Sequence, residues 1–296
     1  MKKATTVEQQ IEKLRERGMD IDIDEEKAIA ILNDIGYFRL GFYCFPFEEA
    51  YPDKKNRTHQ YKEGTRFSDV IALHDFDMEL RRLLACCLNR IEINFRTNII
   101  YTVSNQYVNN NTWFINHSVM KRDFIDKFNK EFYTPRFRSD HPVITHHHKK
   151  YPNDNYAPAW KTLEYLTFGR LVRLYKSLKD ERLKKKISEK YSVRNEKKLE
   201  NYFDALVETR NVCAHNLVLF DHKSHRRLQS GHLVTMSKNS SQTFSVIKIV
   251  YFILCSICQE RADKMKDETK ALFNKYAENN LISRIIDDSM SYDNDW

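Results

Sequence analysis

A chain of 296 residues has room for one large domain or two modest ones, and for a core that needs no disulfides. With six Gly and six Pro it is short of turn-forming residues, so long helices are expected rather than a many-stranded sheet. The net charge of +8 is concentrated: residues 121–200 carry 21 basic and 11 acidic side chains, whereas residues 1–120 carry 16 and 18. The most apolar stretch, 244–258, is about 15 residues long and contains Lys248. A membrane span needs roughly 20, so this stretch reads as a buried helix and a membrane partner is not expected. The adjacent Cys86 and Cys87 point apart on a helix and make a poor disulfide pair. Met1-Lys2-Lys3 leads into polar sequence, not an apolar leader, so reduced thiols and a cytoplasmic location are expected.

Thr6 to Arg17 reads as a first amphipathic helix, with Val7, Ile11 and Leu14 on one side. Asp24 caps a second helix through Asp34, and Gly36 lies just beyond its end. Residues 35–47 are dense in aromatics and suit a compact packing element; residues 48–64 read as an exposed connection. Thr65 opens the longest periodic segment, to about Gln106. At 1.5 Å per residue it would span roughly 60 Å unless kinked or split. The stretch 108–160 is the least regular. It holds four prolines and the run His146-His147-His148-Lys149-Lys150, and is expected to contain one short helix near 121–131 and a partly mobile insertion. Helical periodicity returns at 160–178, 181–191 and 196–218. Residues 221–240 read as loop with a short hairpin, helices follow at 242–260 and 266–279, and the tail is expected to fray. The resulting expectation is a mainly all-α chain in three parts. These are an N-terminal helical and aromatic element (1–64), a helical domain (65–260, insertion about 108–158), and a C-terminal helix and tail (261–296).

The chemistry centres on Arg210-Asn211-Val212-Cys213-Ala214-His215. On an ideal helix Asn211 and His215 share a face, whereas Arg210 and His215 are about 140° apart. Arg210 must therefore curl its side chain to reach His215, or the two must meet across a two-fold axis. An Arg in so apolar a run is costly unless paired. For RNA cleavage the residue types fit. Histidine titrates near neutral pH and can take the proton of the attacking 2′-hydroxyl or return one to the leaving 5′-oxygen. Arginine grips phosphate oxygens bidentately as charge develops. No metal and no cofactor is needed. Lys184, Lys185, Lys186, Lys190, Arg194, Lys197 and Lys198 form the best stretch for RNA backbone contact, with a merely solvated face as the alternative.

Several blocks set this motif in context. They are Ile35-Gly36-Tyr37-Phe38-Arg39-Leu40 with the following aromatics, Gly64-Thr65-Arg66-Phe67, Asp75-Phe76-Asp77 with Leu80-Arg81, and Arg90 to Thr97. Pro158-Ala159-Trp160 with Leu166-Thr167-Phe168-Gly169 follows, and the Arg210–His215 element closes the series. The last resembles the Arg-x4-His motif of the HEPN superfamily. The whole set, over about residues 30–220, resembles the Abi_2 family of abortive-infection proteins of the AbiD and AbiF types. The resemblance implies a HEPN-type helical bundle that forms homodimers, with Arg-x4-His elements of two protomers making one composite site. It also implies metal-independent RNA cleavage leaving a 2′,3′-cyclic phosphate, a role in phage defence, and partnership with a small non-coding RNA. Arg210 would then stabilise phosphate charge, His215 would act as general acid or base, and Asn211 would orient the histidine or the phosphate. The alternative is a non-catalytic RNA-binding regulatory protein of toxin–antitoxin character that uses the same basic surface.

Other candidates carry blander readings. Glu92 and Arg96, four apart, read first as a structural ion pair and second as support for Arg210. Asp75 and Asp77 can hold Mg²⁺, but capping or salt bridging near a helix start is favoured. Histidines 141, 146–148, 222, 225 and 232 lack the spacing of zinc ligands. Cys213 faces away from His215, and no Gly-rich phosphate loop exists.

Overall fold

The computed structural model describes residues 3–225, 227–230, 241–293 and 296. The fold is all-α, and among the described residues the only β features are isolated bridges such as Asp20 with Arg66. Helices α1 (Val7–Glu16) and α2 (Glu25–Ile35) start at the capping residues Thr6 and Asp24, whose side chains accept from the amides of Gln9 and Lys27. Gly36, at φ 85°, ends α2 and starts α3 (Tyr37–Cys44). A side chain there would meet no neighbour, so the requirement for glycine is the left-handed backbone itself.

Helix α4 (Phe67–Gln106) runs unbroken for 40 residues and is the spine of the molecule. Leu73, Phe76, Leu80, Leu84, Leu88, Ile91, Phe95, Ile99 and Val103 are fully buried along it. It packs against α3, α9 (Phe168–Ser177), α10 (Glu181–Glu189), α11 (Glu196–Ala214), α12 (Thr243–Ile257), α13 (Gln259–Ala277) and α14 (Asn280–Met290). A helix apolar on several faces is stable only when surrounded in this way.

The stretch 108–158 is more regular than its sequence implies. It folds as α5 (Arg122–Lys127), a π-helical turn at Phe128–Phe132, α6 (Pro135–Asp140) and α7 (Pro142–Lys150), before the short α8 (Ala159–Thr162). Pro135 and Pro142 occupy first helical positions, where the missing amide costs nothing. Phe114, Phe128, Phe132, Phe137, Tyr133 and Tyr156 stack into a small core of their own, with the Phe132 and Phe137 rings 4.3 Å apart. The histidines serve this local packing: His147 Nε2 lies 3.0 Å from Asp154, His148 Nε2 lies 2.8 Å from the Tyr133 hydroxyl, and His141 stacks on Tyr165.

The expected frayed tail is also corrected. Residues 280–290 form α14, capped by Asn279, with Ile282, Ile285, Ile286 and Met290 buried. These positions recur at helical spacing and close over the bundle, which outweighs the polar Asp-Ser composition around them. The expected hairpin and His232 fall mostly in 231–240, outside the described residues. No helix among the described residues is long and apolar enough to cross a membrane.

Candidate active site

The Arg-x4-His segment ends a well-anchored helix. Asn195 caps α11 by accepting from the Lys198 amide. Leu199, Tyr202, Phe203, Leu206, Thr209 and Val212 bury one face, and the Phe203 ring sits 4.2 Å from that of Phe95 on α4. The helix stops at His215, which is the C-cap, and Asn216 follows with φ 54°. The amides of Asn216 and Leu217 turn back to the carbonyls of Cys213 and Val212, at 3.3 and 2.9 Å. This is the Schellman arrangement, and Asn is the non-glycine residue that best tolerates its left-handed position. His215 is thereby fixed at the last turn of α11, exposed to solvent.

The turn after His215 is held from below. Arg39 on α3 donates to the Asn216 carbonyl at 2.6 Å, and Arg81 on α4 donates to Asn216 Oδ1 at 3.0 Å. Arg81 Nε also pairs with Asp77 Oδ2 at 3.1 Å. The Tyr43 hydroxyl donates to the same oxygen at 2.8 Å. Asp77 Oδ1 accepts the amides of Leu219 and Phe220 at 2.9 and 2.7 Å. The Asp77 side chain is wholly buried, and burial pushes its carboxyl pKa up against donors that favour the charged form. Thr243, opening α12, completes the clamp by donating to the carbonyls of Leu219 and His222. Asp77 thus has the salt-bridging role read from sequence, but ten residues inside α4 and not near its start. Its bonds to Arg81, Tyr43 and two amides occupy both oxygens and leave little for Mg²⁺.

Arg210 is partly exposed at the α11–α4 seam. Its Nη2 lies 3.4 Å from Glu92 Oε2, and its Nη1 donates to Asn211 Oδ1 at 3.2 Å. Glu92 Oε1 takes Arg96 at 2.9 Å, and Arg96 continues to the Leu166 carbonyl at 2.9 Å. Glu92 therefore stands between both arginines, paired with Arg96 and in contact with Arg210. Asn211 lies with Arg210 and not with His215. No hydrogen bond joins Arg210 to His215, and the His215 ring has no hydrogen-bond partner among the described residues. Replacing Glu92 with Gln keeps an acceptor for Arg96 but removes the charge opposite Arg210. The expected cost is about 1 kcal/mol in urea unfolding, with a larger loss in any activity that depends on Arg210. A stability loss with no change in that activity would leave Glu92 purely structural.

The basic stretch divides. Lys184 is buried and pairs with Glu181 at 2.9 Å, so it is removed from any RNA-contacting set. It follows Leu183 on the inward face of α10, where the Lys-Lys-Lys run conceals helical periodicity. Lys190 Nζ is turned onto Asn98 and Thr102, each at 3.0 Å, and its pKa is lowered by burial. Lys197 pairs with Glu200 at 3.2 Å and Lys198 reaches the Ser230 carbonyl at 2.6 Å. Lys185, Lys186 and Arg194 are exposed, with no partner among the described residues. Cys213 is buried and its thiol is pushed up to about 12 by burial, which suits packing and not nucleophilic attack. Among the described residues no group of His, Cys, Asp or Glu is arranged to hold a metal ion.

Tyr43, Arg39, Arg81 and Asn216 had no assigned role from sequence, and Asp77 had only a capping or salt-bridging one near a helix start. All but Asn216 fall in the sequence blocks of the family resemblance, Tyr43 among the aromatics after Leu40, yet nothing in the sequence pairs them with the turn at 216–220. These elements define a class: an all-α bundle wound on one long helix, with an Arg-x4-His element presented at a clamped helix end. The chain belongs to the Abi-like protein family, Abi_2, whose family model matches residues 30–221. That span closes just after the clamped turn and takes in every residue of the clamp except His222 and Thr243. The family places the chain in abortive infection, a phage-defence response. No curated protein and no solved structure matches it.

Proposed function

We propose that the chain is a metal-independent endoribonuclease of the HEPN type, acting in abortive infection as a homodimer with one composite site. The observation that carries this reading is the pair Arg210 and His215, both reaching solvent at the end of α11 with no hydrogen bond between them. A half-site of this kind is completed by a second copy. Phe38 and Phe42 on α3 are 83% and 47% exposed, and Leu217 beside His215 is 56% exposed. Arg39 of the same helix binds Asn216, so these side chains rim the motif with apolar surface of the kind that interfaces bury.

In this site one His215 takes the 2′-hydroxyl proton as that oxygen bonds to phosphorus. The P–O5′ bond breaks, the second copy's His215 protonates the leaving oxygen, and a 2′,3′-cyclic phosphate remains. Arg210 pairs with the phosphate oxygens as charge builds. Asn211, bonded to Arg210, orients that guanidinium. The test is cleavage of a defined RNA in excess EDTA with analysis of the product ends. Cyclic phosphates formed without metal are expected; cleavage that needs Mg²⁺ and leaves 3′-hydroxyls would sink the mechanism.

The RNA, whether substrate or a bound small non-coding RNA, is held by phosphate contacts, with Lys185, Lys186 and Arg194 the cations that the 184–198 stretch leaves unpaired among the described residues. Each lost contact to single-stranded RNA lowers the slope of log K against log salt by about 0.7. The variant Lys185→Ala/Lys186→Ala/Arg194→Ala is expected to lower it by about 2, and an unchanged slope would place the RNA elsewhere. Salt-sensitive binding with no cleavage at all favours a non-catalytic regulatory protein.

A further inference from the structure

On another side of α4 lies a cleft of about 430 Å³, between α4 and the α12–α13 pair. Arg82, Cys86 and Arg90 line it from α4 at intervals of four residues, which puts them on one helix face. Arg261 and Lys264 line it from α13, and the apolar part of its wall comes from Leu83, Leu254 and Met265. The carboxylates there are already engaged. Glu79 accepts from Lys275 and Tyr276 at 2.7 and 2.9 Å, and Glu268 lies 3.8 Å from Lys264. Arg82, Arg90 and Arg261 have no partner among the described residues, and all three are exposed at the cleft.

Three unpaired guanidinium groups around one concave site make an anion receptor. Arginine binds phosphate oxygens bidentately and keeps its charge at any physiological pH. Arg82 and Arg90 are about 12 Å apart along the α4 axis, so they match a run of phosphates better than one small anion. Three positive charges also balance a diphosphate and most of the charge of a triphosphate. The aliphatic wall supplies what such a chain leaves uncovered, a dry face for a flat base, and the volume falls in the usual range for small-ligand sites.

We propose that this cleft binds a nucleoside polyphosphate, either free or as the 5′-triphosphate end of an RNA. The site is separate from the Arg210–His215 element, because Arg90 lies about 160° round α4 from Glu92. It therefore holds whether or not the chain cleaves RNA. Its ligand does not depend on the Lys185–Lys186 surface either.

The exposed thiol of Cys86 reports on occupancy. The full chain is titrated with ATP and with a 5′-triphosphorylated trinucleotide, with a 5′-hydroxyl trinucleotide as control. Calorimetry reads the affinity, and mass spectrometry reads the alkylation rate at Cys86. Saturable binding that slows Cys86 alkylation is expected with at least one triphosphate, and the tighter of the two identifies the source. Arg90→Glu/Arg261→Glu should weaken it about tenfold or more, and the milder Arg90→Gln/Arg261→Gln pair should weaken it in the same direction. Lys185→Glu/Lys186→Glu and His215→Ala should leave the protection of Cys86 by ATP unchanged. The proposal is overturned if neither triphosphate binds or protects Cys86, if the 5′-hydroxyl control protects Cys86 equally well, or if both arginine pairs retain wild-type protection of Cys86 by ATP.

Discussion

Replacing His215 with Ala is expected to abolish RNA cleavage while leaving the fold intact. A positioned general acid or base contributes about 10²- to 10⁴-fold to a rate, and in a two-fold site one substitution removes both histidines. The fold should survive because the ring is exposed and makes no hydrogen bond among the described residues. The helix stop is built from the backbone of 212–217 and from the grip of Arg39 and Arg81 on Asn216, none of which needs the imidazole. Arg210→Ala should cost about 10²- to 10³-fold by removing charge stabilisation from the transition state. It should also lower stability slightly, since Glu92 loses one of its two cations. The two variants separate a composite site from a single-chain one. Co-expressed with different tags and purified as a mixed dimer, Arg210→Ala with His215→Ala retains one arginine and one histidine across the interface. That mixed dimer should exceed the His215→Ala homodimer, which keeps no histidine at all. If it matches that homodimer, or if His215→Ala cleaves at the wild-type rate, the composite reading is lost.

Much of the fold was written in local pattern. The capping residues Thr6 and Asp24, the left-handed Gly36 and the periodic apolar run of α4 are short-range signals, and each element begins or ends where they place it. The departures occur where composition masks spacing. Asp and Ser around 287–291 hid the inward face of α14. Prolines at 135 and 142 looked like breakers but sit at helix starts, where they are accommodated. The run Lys184-Lys185-Lys186 looked like one surface, although a helix turns about 100° per residue and sends Lys184 inward. The motif itself was legible because its residues are consecutive. Its setting was not: Glu92 and Arg210 are 118 positions apart, and Asp77 and Phe220 are 143 apart. Contacts of that range are products of the α4–α11 packing and leave no periodicity in the chain. The cleft beside Cys86 was invisible for a related reason, since the sequence divides its arginines between two helices that only the fold brings together.

The clamp under the motif carries the largest stability effect. Asp77→Ala leaves the buried Arg81 guanidinium, the Tyr43 hydroxyl and the amides of Leu219 and Phe220 without their common acceptor. Breaking a buried ion pair from one side costs about 3–5 kcal/mol, because the surviving charge stays uncompensated. Asp77→Asn should cost less, about 1–3 kcal/mol. Its carbonyl oxygen can still take the two amides, but its NH₂ would face Arg81 and Tyr43, both donors. Urea unfolding followed by circular dichroism ranks the three proteins, and a loss below about 1 kcal/mol for Asp77→Ala would reduce the clamp to the weight of a surface pair. Asn216→Ala tests the connection to the site. It removes the Oδ1 contact with Arg81 and puts alanine at a left-handed position. It should therefore blunt any activity of His215 out of proportion to its effect on stability. The double variant with Asp77→Ala should lose less than the two single losses combined, because both act through Arg81. Fully additive losses would mean that Asp77 holds the 219–220 backbone alone, and that the turn presenting His215 is set by α11 without help from α4.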